Sequence, residues 1–277
     1  MFFWNCCSGV WLRDFDIYNF SDLNVGSFLI RLSLQFRRKS SFYAIDSWPN
    51  EGIDYMTKEM LVQINGCKLY AKLVGENPGK PTVVMDAGYG DFSKAWDSVI
   101  EDLSMLSNVL IYDRAGLGKS DTSSNPRTSG EMVKELKELL IEANINPPYI
   151  LVGHSFGGVN MRMFATEYQN EVCGLVLIDS TPEDYRERFL PTMSEDFQQA
   201  YNKQFIYEGN YDEFMESLKQ LKDTRLKLNA PLIVLSAGKK AHYSKESQEL
   251  WNEMQKEILE ISYVGELVIA ENSAHYI

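Results

Sequence analysis

The sequence predicts an α/β protein, a mostly parallel β-sheet flanked by helices with a helical cap inserted late in the chain. Three observations predict it. Six short apolar runs, TVVMDAG, NVLIYD, YILVG, CGLVLIDS, PLIVLSAG and GELVIAE, have strand length and are rich in Val, Ile and Leu, as parallel strands buried on both faces should be. Amphipathic stretches with helical spacing, SGEMVKELKELLIEAN, GGVNMRMFATEYQ and SKESQELWNEMQKEILEIS, separate them. This alternation calls for crossover units and hence a parallel sheet. Between Thr181 and Pro231 the rhythm stops, and no good strand occurs.

In chain order, residues 1–58 come first and keep neither a helical nor a strand period. Their charges cancel, with six basic residues (Arg13, Arg31, Arg37, Arg38, Lys39, Lys58) against six acidic ones (Asp14, Asp16, Asp22, Asp46, Glu51, Asp54). This extension reads either as a regulatory or anchoring segment or as sequence upstream of an ordered start near Met56 or Met60. The second is favoured. The domain proper spans 59–277. It opens with MLVQI and CKLYAKLVG around Asn65 and Gly66, a hairpin whose Asn-Gly turn supplies positive φ angles. Ser129 and Ser244 stand where helix caps are expected. Within 182–230, PEDYRERFL, MSEDFQQAYNKQF and YDEFMESLKQLKD read as short helices, too long together for a plain loop.

Composition bounds the function. A formal charge of −12 over 277 residues, with no basic stripe, repels phosphate backbones and disfavours nucleic acid. No run approaches the roughly 20 apolar residues of a membrane helix, and the aromatic start MFFWNCCSGVW lacks the features of a secretory signal. Cys6 and Cys7 are a candidate lipid attachment site, a weaker reading. The four cysteines lack zinc spacing, and Cys173 reads as a small core residue. A reducing cytoplasm fits this usage.

The most specific stretch is YILVGHSFGGVNMRMF. A strand runs into Gly153, His154, Ser155, Phe156, Gly157 and Gly158, and a helix follows at once. Both spelling and context match the GxSxG nucleophile elbow. Ser155 would sit in a strained turn, with glycines where a Cβ would strike a neighbouring element. A phosphate-binding turn fails because the P-loop lysine is missing. A serine hydroxyl needs an imidazole to take its proton, and the chain has three histidines. His154 adjoins Ser155 but would point elsewhere, and His242 reads as a solvated loop residue. His275 follows the strand GELVIAE by a short loop, which makes it the candidate base.

On these residues the chain resembles the α/β-hydrolase superfamily across about residues 60–277. VVMDAGYGDFSKAW is similar to the family's strand and oxyanion turn, with Ala87 where His is commonest, then Gly88 and Tyr89; YDRAGLGKSD is similar to its next conserved turn, and ENSAHYI to its histidine turn. The resemblance implies a carboxylesterase-like serine hydrolase acting on a small ester or amide without metal or organic cofactor. Ser155 is then nucleophile, His275 general base, and the backbone N–H groups of Phe156 and Tyr89 the oxyanion donors. Many relatives carry the acid after the strand PLIVLSAG, where this chain has Lys239, Lys240, Ala241 and His242. Some carry it one strand earlier, which points to Asp179, with Glu183, Asp184 and Glu246 as alternatives.

Aromatic residues of the insertion, Tyr185, Phe189, Phe197, Tyr201 and Phe205, suggest an apolar acyl or aryl group or simply core. Glu183, Asp184 and Glu187 leave open an amine-binding variant like the proline iminopeptidases. Relatives usually continue past the histidine into a helix, whereas this sequence stops at Ile277. A truncated inactive member and a non-catalytic small-molecule-binding member therefore stand as alternatives.

Overall fold

The structure is a computed structural model that describes residues 56–224 and 227–277. The expectations for most of the N-terminal extension, including Cys6 and Cys7, lie outside the described residues.

The opening hairpin pairs β1 (Thr57–Ile64) with β2 (Cys67–Val74), Ile64 facing Cys67 across the turn. Gly66 takes the positive φ, 97°, while Asn65 does not. The turn therefore differs in detail from the one expected, because the residue without a Cβ carries the left-handed conformation alone. The parallel part consists of β3 (Thr82–Asp86), β4 (Asn108–Tyr112), β5 (Tyr149–His154), β6 (Val172–Ile178), β7 (Leu232–Ala237) and β8 (Gly265–Ala270). The sheet order is β1-β2-β4-β3-β5-β6-β7-β8, antiparallel at β1/β2 and β2/β4 and parallel elsewhere.

Alternation within the strands divides the core into two faces. Val84, Leu110, Leu151, Leu175, Leu177 and Val234 pack with α2 (Ser129–Glu142) and α3 (Phe156–Glu167). Val83, Met85, Ile111, Val152, Val176 and Ile178 face the other way, toward Trp96 and α1 (Ile100–Ser104). Period-two alternation with both faces covered is what makes these runs continuously apolar. The edge strand β8 departs from that expectation, since its residues are half-buried or exposed. Cys173 also departs from it. At the start of β6 it is half-buried, with its thiol donating to the Tyr149 carbonyl.

Between β6 and β7 lie a π-helical turn (Tyr185–Phe189), α4 (Glu195–Asn202) and α5 (Tyr211–Asp223). Two apolar clusters fix this segment. Phe205, Phe214, Leu218 and Leu221 pack on Met132, Phe156 and Val159, and Tyr185, Phe189, Leu190 and Met193 pack on Trp251 and Met254 of α6 (Lys245–Glu257). Most of its aromatic rings therefore serve as packing. Ser244 caps α6 by accepting the Ser247 N–H, and Asn210 with Glu213 forms a reciprocal cap on α5. Ser129 does not cap. It is the first residue of α2, and its hydroxyl donates to Asn160 instead.

Candidate active site

Ser155 stands between the last residue of β5 and the first of α3, at φ 53° and ψ −118°. A side chain in that region costs on the order of 1–3 kcal/mol and persists only where its surroundings enforce it. Enforcement comes from both sides: the Ser155 N–H donates to Ile178 O (3.0 Å), and its carbonyl accepts the N–H groups of Gly158 and Thr181 (both 3.1 Å). Gly157 allows the approach, since a Cβ there would lie 2.3 Å from Asp86 O and 2.5 Å from Ala87 O. The start of α3 is thereby pressed against the turn that leaves β3.

Asp179 follows β6 with φ 45°, its N–H bound to Leu235 O at 2.7 Å. Its carboxylate is wholly buried. Oδ1 accepts the Ala237 N–H (3.0 Å) and the Trp251 indole N–H (2.6 Å). Oδ2 accepts from His275 Nδ1 (2.6 Å) and from the Lys240 ammonium (2.5 Å). Burial works to raise the acid's pKa, but Lys240 and His275 outweigh it and hold Asp179 below the ordinary carboxylate value. Burial draws Lys240 down to about 8 against the pull of Asp179. Its ammonium also lies 3.3 Å from the Trp251 ring centroid.

An ionised carboxylate only accepts, so His275 Nδ1 donates the proton of this bond. The His275 side chain is 39% exposed. Beneath it lies His154, with ring centroids 4.6 Å apart and Nε2 donating to the His275 carbonyl at 2.9 Å. Burial, reinforced by His275, lowers His154 to about 4, so it is a neutral support for the terminal turn. Tyr276 adds a second anchor, its hydroxyl donating to Asp91 Oδ2 at 2.6 Å. Among the described residues, the hydrogen bonds of His275 run to Asp179 and His154 and none joins Ser155.

The turn after β3 closes the site. A Cβ on Gly88 would meet the Ser155 Cβ at 3.5 Å, and the Tyr89 ring meets Phe156 edge-on with centroids 5.5 Å apart. Phe156 opens α3, where backbone N–H groups lack intrahelical partners. The other carboxylates considered are engaged elsewhere: Glu183 accepts from Arg162, Asp184 from Lys222, and Glu246 is exposed in the first turn of α6. His242 is exposed. Sequence reasoning did not single out Lys240, Trp251 or Arg114. The lysine pair after β7 was visible only as a missing carboxylate, and Arg114 only as part of YDRAGLGKSD.

The sequence pattern of the α/β hydrolase fold matches residues 81–254. The chain belongs to the α/β-hydrolase fold family. Within reach of this family, protein YqjL of Bacillus subtilis (strain 168) is 34% identical over 221 residues, spanning 79% of this chain and 85% of that protein. An AB hydrolase superfamily protein of Gibberella zeae is 29% identical over 117 residues, 41% of this chain and 36% of its own. Two solved hydrolase structures share the fold: α/β hydrolase domain-containing protein 10 from mouse (TM-score 0.59, 18% identity, covering 79% of this chain and 90% of that one), and 2-hydroxy-6-oxo-6-phenylhexa-2,4-dienoate hydrolase from Rhodococcus sp. strain RHA1 (TM-score 0.56, 16% identity, covering 81% and 93%). Among the described residues, no helix is long and apolar enough to cross a membrane.

Proposed function

We propose that the chain is a carboxylesterase-like serine hydrolase that cleaves a small ester or amide through an acyl-enzyme intermediate. The observation that carries this reading is the 2.6 Å bond from His275 Nδ1 to a buried Asp179, with Ser155, at φ 53°, at the end of the strand paired with the one Asp179 follows. Ser155 Oγ attacks the carbonyl carbon while His275 Nε2 takes the hydroxyl proton. Asp179 holds the imidazole in the tautomer that allows this and balances the imidazolium that forms. The tetrahedral oxyanion accepts from the N–H groups of Phe156 and Tyr89. Collapse expels the alcohol or amine, which leaves with the proton from His275. Water then repeats the sequence on the acyl group and releases the acid.

Exposed Phe92, Tyr207 and Tyr276 stand beside Gly90 and Asp91, which favours an uncharged substrate with an apolar acyl or aryl portion. Glu183 and Asp184 are already paired with Arg162 and Lys222, which weighs against the amine-binding variant. Hydrolysis of p-nitrophenyl esters of increasing acyl length tests the proposal. Turnover that disappears in Ser155→Ala supports it. Thermal stabilisation by such esters without turnover would favour the non-catalytic binding member of the fold.

A further inference from the structure

Glu208 lies between α4 and α5, where its neighbours Ile206 and Tyr207 are 79% and 65% exposed. Its own side chain is closed to solvent. The carboxylate meets the Arg114 guanidinium in a two-point contact, Nε donating to Oε1 at 2.5 Å and Nη2 to Oε2 at 2.8 Å. Oε2 also accepts the Gly90 N–H at 3.2 Å. The remaining donors of Arg114 go to the Asp86 carboxylate, to Ala87 O (2.8 Å) and to Gly88 O (2.6 Å). All five guanidinium N–H groups are thus committed to the last residue of β3, to the turn after it or to Glu208. Beside this contact the Tyr89 hydroxyl donates to Gly209 O (2.7 Å) and accepts the Gly209 N–H (2.9 Å). Gly90, at φ 73°, backs onto Tyr207, where a Cβ would lie 2.8 Å from the Tyr207 Cβ.

The carbonyl of Gly88 and the N–H of Tyr89 belong to one planar peptide and point in opposite directions. Whatever fixes the Gly88 oxygen therefore aims the Tyr89 N–H. Two donors fix it, Arg114 Nη2 at 2.6 Å and the Asp91 N–H at 3.1 Å, and the guanidinium nitrogen is held on its other side by Glu208. We propose that Glu208 is a positioning residue for the oxyanion site. Through Arg114 and Gly90 it sets the peptide between Gly88 and Tyr89, so that the segment 207–209 must be seated on the turn for the site to be complete. This rests on the serine-hydrolase reading above. Loss of the clasp leaves two guanidinium donors and the Gly90 N–H without their acceptor, and the peptide, then held by the Asp91 N–H and an unbraced Arg114, shifts from its catalytic orientation.

Glu208→Gln keeps the side-chain volume while removing the charge and turning an amide N–H₂ toward Arg114. With rates normalised to sites titrated to completion by a fluorophosphonate, kcat is expected to fall by about tenfold to a hundredfold, as misplacement of a catalytic group does. KM is expected to stay within about threefold, because ground-state contacts are untouched. A trifluoromethyl ketone matched to the best ester should lose affinity in step with kcat/KM, while the product acid binds as before. Tyr89→Phe removes the other tie without altering the backbone N–H and should move kcat in the same direction by less. It decides the matter if Glu208→Gln does not fold. Unchanged kcat per titrated site in these variants, or a fall in kcat with the ketone affinity intact, overturns the clasp. A wild-type protein that takes no label and turns over no ester removes the serine-hydrolase reading itself and this inference with it.

Discussion

Lys240 and His275 converge on one oxygen of Asp179, at 2.5 and 2.6 Å, while the Trp251 indole N–H binds the other. The carboxylate is thereby saturated. Its four contacts make it a fixed support rather than a mobile one, and the ammonium compensates its burial even when the imidazole is neutral. Replacing Lys240 by Met should therefore expose the cost of burying Asp179. A destabilisation of about 3 kcal/mol at pH 7 is expected. Without Lys240 the folded-state pKa of Asp179 rises, so the variant takes up a proton at higher pH and its deficit against wild type should shrink on acidification. Urea midpoints of both proteins at pH 7 and pH 4.5 measure this.

His154 gives a second dependence on pH. Its folded value of about 4 lies below the ordinary 6.5, chiefly through burial. Between those values the unfolded chain binds the proton and the folded one does not, so stability is present above pH 6.5 and drains as pH falls toward 4. Between pH 7 and pH 5 the loss from this residue is about 2 kcal/mol. His154→Gln, compared with wild type by urea unfolding at the two pH values, should lose correspondingly less.

Strain at Ser155 is separable from its chemistry. Ser155→Ala and Ser155→Gly both remove the hydroxyl, but only glycine tolerates φ 53° and ψ −118° without a Cβ penalty. The glycine variant is expected to be more stable than the alanine variant by about 1 kcal/mol, net of glycine's greater freedom when unfolded. Paired thermal melts decide it.

Gly157→Ala tests the contact between the elbow and the oxyanion turn. The added methyl would sit within 2.3–2.5 Å of two backbone carbonyl oxygens, and backbone yields less readily than a side-chain tip. Destabilisation of about 3 kcal/mol is expected, together with loss of esterase turnover in the fraction that remains folded. The opposite outcome, full activity, would mean that α3 and the turn after β3 separate without consequence.

Much of the frame was legible because it is written in local periodicity. The parallel strands and principal helices follow from apolar runs and helical spacing, and the hairpin from Asn65 and Gly66. Ser155 was nameable from the GHSFGG spelling between a strand and a helix, and His275 from its place just after the strand GELVIAE, whereas Asp179 came from the resemblance to relatives that carry the acid one strand earlier. Relations that depend on distant partners were not legible. Ser129 looks like a cap by its neighbours, but Asn160, far along the chain, takes its hydroxyl. Glu208 follows Phe205, Ile206 and Tyr207 with no local pattern to set it apart, and only the fold brings Arg114 beneath it. Lys240 reads as a surface lysine until Asp179 and Trp251 are assembled around it.

The central claim is that Ser155 is a nucleophile activated by His275. It is tested most directly by incubating the folded protein with a fluorophosphonate and mapping the adduct by peptide mass spectrometry. One adduct is expected on Ser155, forming more than about a hundredfold more slowly in His275→Ala, consistent with loss of the base. An unlabelled Ser155 in the wild-type protein, or labelling that proceeds equally well without His275, would contradict the account.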